Sequence, residues 1–518
     1  MVQKINKILL INPRNRAIIL EESNSLNFGK MFPLGMGYIA AYLERKGYQV
    51  EIIDTIAEGF ENREEIDEDY IRIGISDELL IDKVCRAKPD MVGISCLFST
   101  QDKELAYMAR LIKEHLPEVP IVVGGAHPSC APEIVLEHPD VDYIVIGEGE
   151  NVIEELLFRL NNNKSLDGQQ SLGYRDDGGI IHINKGFNFV EDIDTLPMPA
   201  YHLLNIPGYY GKMAVQGERI TERFLPLITS RGCPFDCTFC TAHQVWGHKY
   251  RWRSPEKIVE EMEYLKDKYD LQEIVFVDDN ITLDMKRAER LFDLMIEKRL
   301  NLIWTVPNGI APYALTPQLL DKMKCAGCRV VNFAIESGSQ RVLKEIIKKP
   351  LNLKKVSPLI KHAKAIGLVV GGFFICGMPG ETLEEIRETF RFIRRHKISS
   401  ANISIAFPLP GSKMYEIALE KNYLVNSNPY DDIRMLSTSG YQIQTPDWTV
   451  KQLRNTVRYE IARTKIYILL SSPPLLLRFL AKNPKYVLMR LVYELASLLR
   501  NPIFGRIAHL FRPIRLRK

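Results

Sequence analysis

Short apolar runs recur along this chain with amphipathic helical stretches between them, and that alternation limits the fold more than any other feature. In the first part they are KILLI (7–11), VEIID (50–54), MVGIS (91–95), IVVGG (121–125) and YIVIG (143–147), separated by stretches such as LGMGYIAAYLERKG and KELAYMARLIKEHL. Strands buried on both faces read as continuous hydrophobic runs, as in parallel sheets covered by helices. The expected fold is therefore α/β, beginning with a doubly wound, flavodoxin-like parallel sheet. A second series follows at RFLPLIT (223–229), EIVFVD (273–278), LIWTV (302–306), RVVNFAI (329–335), LVVGGFFI (368–375) and NISIAF (402–407). Six βα units fall short of a closed eight-unit barrel, so a partial barrel is expected. Turn-rich NNNKSLDG and LPMPAYHLL mark a connection between the two series. The expected division is 1–160, a connecting region at 161–222, a barrel at 223–435 and a basic helical segment at 436–518.

Nine cysteines serve 518 residues, yet three of them fall in SRGCPFDCTFCT, at Cys233, Cys237 and Cys240. The N-terminus lacks the apolar core of a signal peptide, and no run of about 18 apolar residues occurs, so a cytoplasmic, reducing location is expected. There, clustered cysteines read as metal ligands before disulfides. The spacing C-x3-C-x2-C lets one loop wrap three corners of an iron–sulfur cube and leaves one iron open. A zinc site would want a fourth ligand close by. The loop also follows directly on a strand, where parallel α/β barrels carry their working groups.

With Phe239 just before the last cysteine, the triad resembles the signature of the radical S-adenosylmethionine (SAM) family. The resemblance covers about residues 223–415 and implies a [4Fe–4S] cluster held by Cys233, Cys237 and Cys240. It further implies that the open iron chelates SAM and that reductive cleavage yields a 5′-deoxyadenosyl radical. Polar and glycine motifs close the later strands in order: Asp278-Asp279-Asn280, Asn308-Gly309, Glu336-Ser337-Gly338, Gly377-Met-Pro379-Gly380-Glu-Thr, and Pro408-Leu-Pro-Gly411. In that family the fourth-strand Glu and Ser reach the SAM ribose, and the glycine-rich segment flanks methionine and adenine. Carried over, those positions are Glu336, Ser337, Gly377, Pro379 and Gly380, with Asp278, Asp279 and Asn308 beside them. Taken alone, a carboxylate at a strand end is often a helix cap.

In the first series Ser95-Cys-Leu97 ends the third run, Gly124-Gly125 the fourth and Gly147-Glu148 the fifth. The S-x-L and G-G pair resembles the cobalamin-binding domain, in which glycines admit the nucleotide tail because any Cβ would block it. Cobalamin mutases and methionine synthase place a cobalt-ligating histidine after the first strand. Here residues 12–33 contain none, and the first histidine of the chain is His115. The implied cobalamin is base-off, without a histidine ligand, as in cobalamin-dependent radical SAM proteins. A flavodoxin-like sheet with no cofactor is the bland alternative.

Cys325-Ala-Gly-Cys328 is half a metal site and reads better as a helix end running into a strand. His127 could touch a cobalamin tail or be a satisfied loop histidine. Residues 451–518 hold 15 Lys and Arg against 2 Glu, which makes the preceding 450 residues net acidic. With the apolar YVLMRLVYELASLL, that charge suits either a helical cap on the barrel or a segment lying on an anionic membrane face. No nucleic-acid-reading motif accompanies it. The reading from resemblance is a cobalamin-dependent radical SAM methyltransferase that methylates an unactivated carbon of a hydrophobic, natural-product-type small molecule. An external one-electron reductant such as flavodoxin or ferredoxin would supply it. A cyclase or ring-rearranging enzyme with the same cofactors and a non-catalytic cobalamin sensor are the alternatives.

Overall fold

The computed structural model describes residues 4–18, 30–68, 70–176, 178–211, 213, 220–425 and 442–471. All five expected runs of the first series form parallel strands. They lie in the order Gln49–Asp54, Lys7–Asn12, Met91–Ser95, Ile121–Gly124, Tyr143–Val145, which is the 2-1-3-4-5 order of a flavodoxin-like sheet. Helices cover both faces, and each buries one stripe. In Asp102–His115 the stripe is Leu105, Met108, Ala109 and Ile112, at helical spacing.

Two features of this region escape the periodicity. Leu172–Arg175 and Ile181–Ile183 add an antiparallel hairpin to the sheet beyond residue 160. A small antiparallel sheet of Asn15–Ile18, Tyr70–Ile73 and Arg63–Glu65 stands to one side.

The second series forms six parallel strands in sequence order: Phe224–Leu227, Glu273–Phe276, Ile303–Thr305, Val330–Glu336, Val369–Cys376 and Ser400–Ile405. Bridges Trp304–Cys328 and Ile310–Phe333 join the third to the fourth. This is the expected partial barrel. The helix after the fifth strand starts on a strong cap: Thr382 and Glu385 form a capping box before Leu383–Arg395, which buries Ile386, Phe390 and Ile393.

One core cluster fills the barrel and takes in Phe32 and, from the connecting region, Tyr201, Leu204, Ile206, Tyr209 and Met213. Helix Val450–Leu470 packs against Leu383–Arg395, where Arg394 meets Glu460 at 2.6 Å and Thr464 at 2.9 Å. That part of the basic segment is a cap on the barrel. YVLMRLVYELASLL lies outside the described residues. No helix among the described residues is long and apolar enough to cross a membrane.

Candidate active site

The cluster loop leaves and returns through one point. Ser230–Arg231 pairs antiparallel with Arg251–Trp252, so loop 232–250 is cinched at its base. Gly232, at φ +87°, lets the backbones cross there, because a Cβ would fall 2.2 Å from the Lys249 carbonyl oxygen. Inside the loop, Cys240 N–H donates to Cys237 O (2.9 Å), and Cys233 N–H to Gly247 O (3.3 Å). Thr238 anchors the loop to the barrel. Its N–H donates to Ile347 O at 3.0 Å and its hydroxyl to Ile346 O at 2.9 Å.

The three cysteines are half-buried and free. Burial pushes the thiols up, Cys237 to about 11 and Cys240 to about 12. A bound metal would displace those protons. Among the described residues no three His, Cys, Asp or Glu side chains converge on a single ion. A cubane does not ask them to, since each thiolate meets a different iron, so the donor set fits a cluster. Phe239 packs against the barrel core as a partly buried neighbour of Cys237.

The two aspartates part company. Asp278 is fully buried and accepts from Thr229 N–H (3.1 Å), Thr229 Oγ1 (2.7 Å) and Ser230 Oγ (2.5 Å), so it pins the start of the cluster loop. Asp279 is exposed, and no hydrogen bond or ion pair joins it to another described residue. Desolvation by the surrounding protein, with Asp278 beside it, raises its carboxyl to about 6. Asn308 Nδ2 donates to Val277 O (3.0 Å) and ties two strand ends together.

Glu336 holds a left-handed backbone, φ +68°, a strained conformation for a residue with a Cβ. Its carboxylate meets the buried Lys349 ammonium at 2.8 Å. Ser337 is wholly buried and shares a hydrogen bond of 3.2 Å with Thr389 Oγ1. In the glycine-rich segment Gly377 (φ +87°) and Gly380 (φ +87°) bracket Met378 and Pro379. The buried Glu381 carboxyl folds back to accept from Gly377 N–H (2.7 Å) and Met378 N–H (3.1 Å). Trp448 Nε1 donates to Glu381 O at 2.8 Å, so the C-terminal segment closes over this loop.

At the edge of the first sheet Ser95 is half-buried and Leu97 is 40% exposed. Gly125, at φ +121°, approaches Cys96 O so closely that a Cβ would stand 2.5 Å from it. A Cβ on Gly124 would meet only Val145 Cβ at 3.9 Å, so neither backbone nor side chain crowds that strand end, as a ligand lying against it requires. Ser129 links the fourth and fifth strand ends, accepting from Gly147 N–H (2.9 Å) and donating to Gly125 O (2.7 Å). His127 is buried, with Nδ1 3.0 Å from Ser99 Oγ and Nε2 3.1 Å from Asp102. It is a satisfied loop histidine.

Glu148 is not at the open edge. It is buried between two barrel arginines, 2.5 Å from Arg251 and 3.2 Å from Arg231, and Glu150 lies 2.7 Å from Arg231. Burial works against charge on Arg231, but Glu150 and Glu148 more than offset it and hold the guanidinium ionised. The short helices Ala126–Cys130 and Ala242–Trp246 pack together. The two carboxyl edges therefore face each other, with the cysteine loop between them. No local pattern in the sequence marks Lys349, Arg231 or Arg251, whose acidic partners lie far away in the chain except for Glu336. Cys325 ends a helix, and Cys328, past the Gly327 turn, is buried with its thiol donating to Val330 O at 3.4 Å.

The profile of the Radical SAM superfamily matches residues 227–393, and that of the B12 binding domain matches residues 28–157. Cytidylyl-2-hydroxyethylphosphonate methyltransferase of Streptomyces wedmorensis is 36% identical over 451 residues, covering 82% of this chain and 83% of its own. The chain is a cobalamin-binding radical SAM protein. Anaerobic magnesium-protoporphyrin IX monomethyl ester cyclase of Rubrivivax gelatinosus is 26% identical over 75% of this chain and 66% of its own. Among solved structures, the cobalamin-dependent S-adenosylmethionine radical enzyme OxsB, with aqua-cobalamin and S-adenosylmethionine bound, aligns with a TM-score of 0.67. It shares 17% identity and covers 98% of this chain and 70% of that one, a likeness of fold. This radical SAM protein is an enzyme of the methyltransferase type, and its cofactors are a [4Fe–4S] cluster, S-adenosylmethionine and cobalamin.

Proposed function

We propose that this enzyme methylates an unactivated carbon of a hydrophobic, natural-product-type small molecule held between the two facing sheet edges. The observation that carries the reading is the juxtaposition itself: the helix that follows the cysteines, Ala242–Trp246, packs against Ala126–Cys130, which follows the strand end at Gly124. When bound, the cofactors supply a hydrogen-abstracting radical and a transferable methyl group. The protein's share is to bind, orient and exclude water. Cys233, Cys237 and Cys240 hold the cluster. Glu336, kept in place by Lys349, together with Asp279 and the Gly377–Gly380 backbone, receives S-adenosylmethionine. Gly124 and Gly125 admit cobalamin, and Ser95 and Leu97 flank it. Both ring nitrogens of His127 are engaged, which supports a cobalamin without a histidine ligand. Asp278, Ser337 and Asn308 act on the site through the loops they tie.

The test is anaerobic turnover of reconstituted enzyme with methyl-labelled S-adenosylmethionine, a strong reductant and extracts of cells lacking the gene. A product heavier by one CH2 unit that carries the label supports the reading. Loss of hydrogen or an unchanged mass favours the second reading, ring closure or rearrangement, which the likeness to the Rubrivivax cyclase motivates. A low-potential flavodoxin or ferredoxin is the proposed electron source. The surplus of Lys and Arg after residue 450 supports peripheral contact with an anionic membrane face from the cytoplasmic side. Sedimentation with anionic but not neutral vesicles would bear that out, and absence of the difference would dismiss it.

A further inference from the structure

Four charged side chains are buried where the two halves of the molecule meet. Glu148 and Glu150 follow the fifth strand of the first sheet, and Arg231 and Arg251 face each other across the ladder at the base of the cysteine loop. None of the four side chains is more than 4% exposed. Glu148 is spent entirely on partners: Arg251 at 2.5 Å, Arg231 at 3.2 Å and the Val190 N–H at 2.9 Å. Arg251 also donates to the carbonyls of Val190 (2.6 Å) and Trp246 (2.8 Å) and lies over the Phe189 ring. Arg231 is sandwiched near Tyr38, on a helix of the first domain, and Trp246, on the short helix after the cysteines.

Desolvating four charges is costly, and apolar side chains of similar volume would hold two surfaces together at least as well. What the guanidiniums add is direction, because Arg231 reaches a different carboxylate with each terminal nitrogen and Arg251 joins Glu148 to two backbone carbonyls, so rigid planar groups tie several points at once. Here the direction is fixed between two particular places, the stem of loop 232–250 and the strand end beside Gly147. A displacement of about 1 Å between reacting groups costs on the order of a hundredfold in rate.

We propose that Glu148, Glu150, Arg231 and Arg251 are positioning residues that set the separation between the cluster loop and the cobalamin edge. The proposal rests on the two-cofactor reading above. It differs from a role in stability alone, which any well-packed interface would serve.

The test reads distance rather than turnover. Holoenzyme loaded with cobalamin and cluster is reduced to paramagnetic cob(II)alamin and [4Fe–4S]+, and their dipolar coupling is measured by pulsed electron paramagnetic resonance. Wild-type protein gives one narrow distance. Glu148→Gln, and Glu148→Gln combined with Arg251→Gln, are expected to keep wild-type iron, sulfide and cobalamin contents while losing that narrow distance. The double variant removes one charge of each sign and leaves Arg231 with Glu150, so it guards against misfolding from a lone buried charge. Arg231→Lys keeps the charge without the fork and should broaden the distance as well. A folded, doubly loaded variant with the wild-type distance and only a lower melting temperature overturns the proposal. Failure of all three variants to fold also overturns it, since the contacts would then serve stability. Wild-type protein that takes up the cluster and no cobalamin is a separate outcome and defeats the functional reading instead.

Discussion

Asp278 and Asp279 are adjacent and chemically opposite. Asp278 receives one backbone N–H and two hydroxyls in a site that excludes water. Burial raises the Asp278 carboxyl against the pull of Arg287 and of these donors, and Asp278→Ala would strand the donors. Each stranded buried donor costs about 1–3 kcal/mol, so a loss of several kcal/mol is expected in denaturant unfolding of the apoprotein. Asp279→Asn touches no such partner and should leave the unfolding midpoint near wild type while weakening S-adenosylmethionine binding in equilibrium dialysis. Glu336 allows a third comparison. Its left-handed backbone should make Glu336→Gly more stable than Glu336→Ala by roughly 1 kcal/mol, although both leave Lys349 unpaired. The sequence alone named all three carboxylates, but it could not tell an exposed, unpartnered aspartate from one that ties a loop. That distinction depends on the hydroxyls of Thr229 and Ser230, about 50 residues away in the chain.

The glycine-rich segment after the fifth strand shows how an element is held by a single side chain. Burial raises the Glu381 carboxyl to about 8, against the pull of the two N–H groups it accepts. The sign follows from linkage. A carboxyl whose folded value lies above its unfolded value near 4.5 binds its proton more tightly in the folded state. Its contribution to stability is therefore present at low pH and is lost as pH rises from about 4.5 to about 8, at roughly 1.4 kcal/mol per pH unit. Glu381→Gln, which cannot ionise, should flatten that slope, so its stability relative to wild type should increase between pH 5 and 8 in parallel denaturant titrations. A difference that stays constant with pH would remove Glu381 as the cause. Elements of this kind were legible where chemistry is local. The parallel strands announced themselves by unbroken apolar runs, and the glycine loop by its composition. The side sheet was not legible, because Arg63–Glu65 is wholly exposed and reads REE. Nor was the hairpin Leu172–Arg175 with Ile181–Ile183, whose strands are only four and three residues long. The arginine pair was hidden for another reason. Arg251 and Glu148 are 103 positions apart, and no local pattern marks either as the other's partner.

At the scale of the molecule, the region between the two series is more than a tether. Tyr201, Leu204, Ile206 and Tyr209 enter the same core as the barrel strands, and Tyr201 donates to Glu261 on a barrel helix at 2.6 Å. Tyr209 reaches the other way and hydrogen-bonds Asp54 at the end of a strand in the first sheet. One stretch of chain thus fills the barrel core while gripping the cobalamin domain. A barrel cut to begin at residue 223 would lose those four side chains. Each is worth about 1.5–3 kcal/mol when fully buried, so the sum is on the order of 10 kcal/mol, comparable to the whole stability of an ordinary domain. A fragment spanning 198–471 should therefore unfold cooperatively, with a clear near-ultraviolet transition. A fragment spanning 223–471 should expose apolar surface, bind a hydrophobic dye and aggregate. Equal stability of the two fragments would show that the barrel closes its own core and that the connecting region only spans the distance.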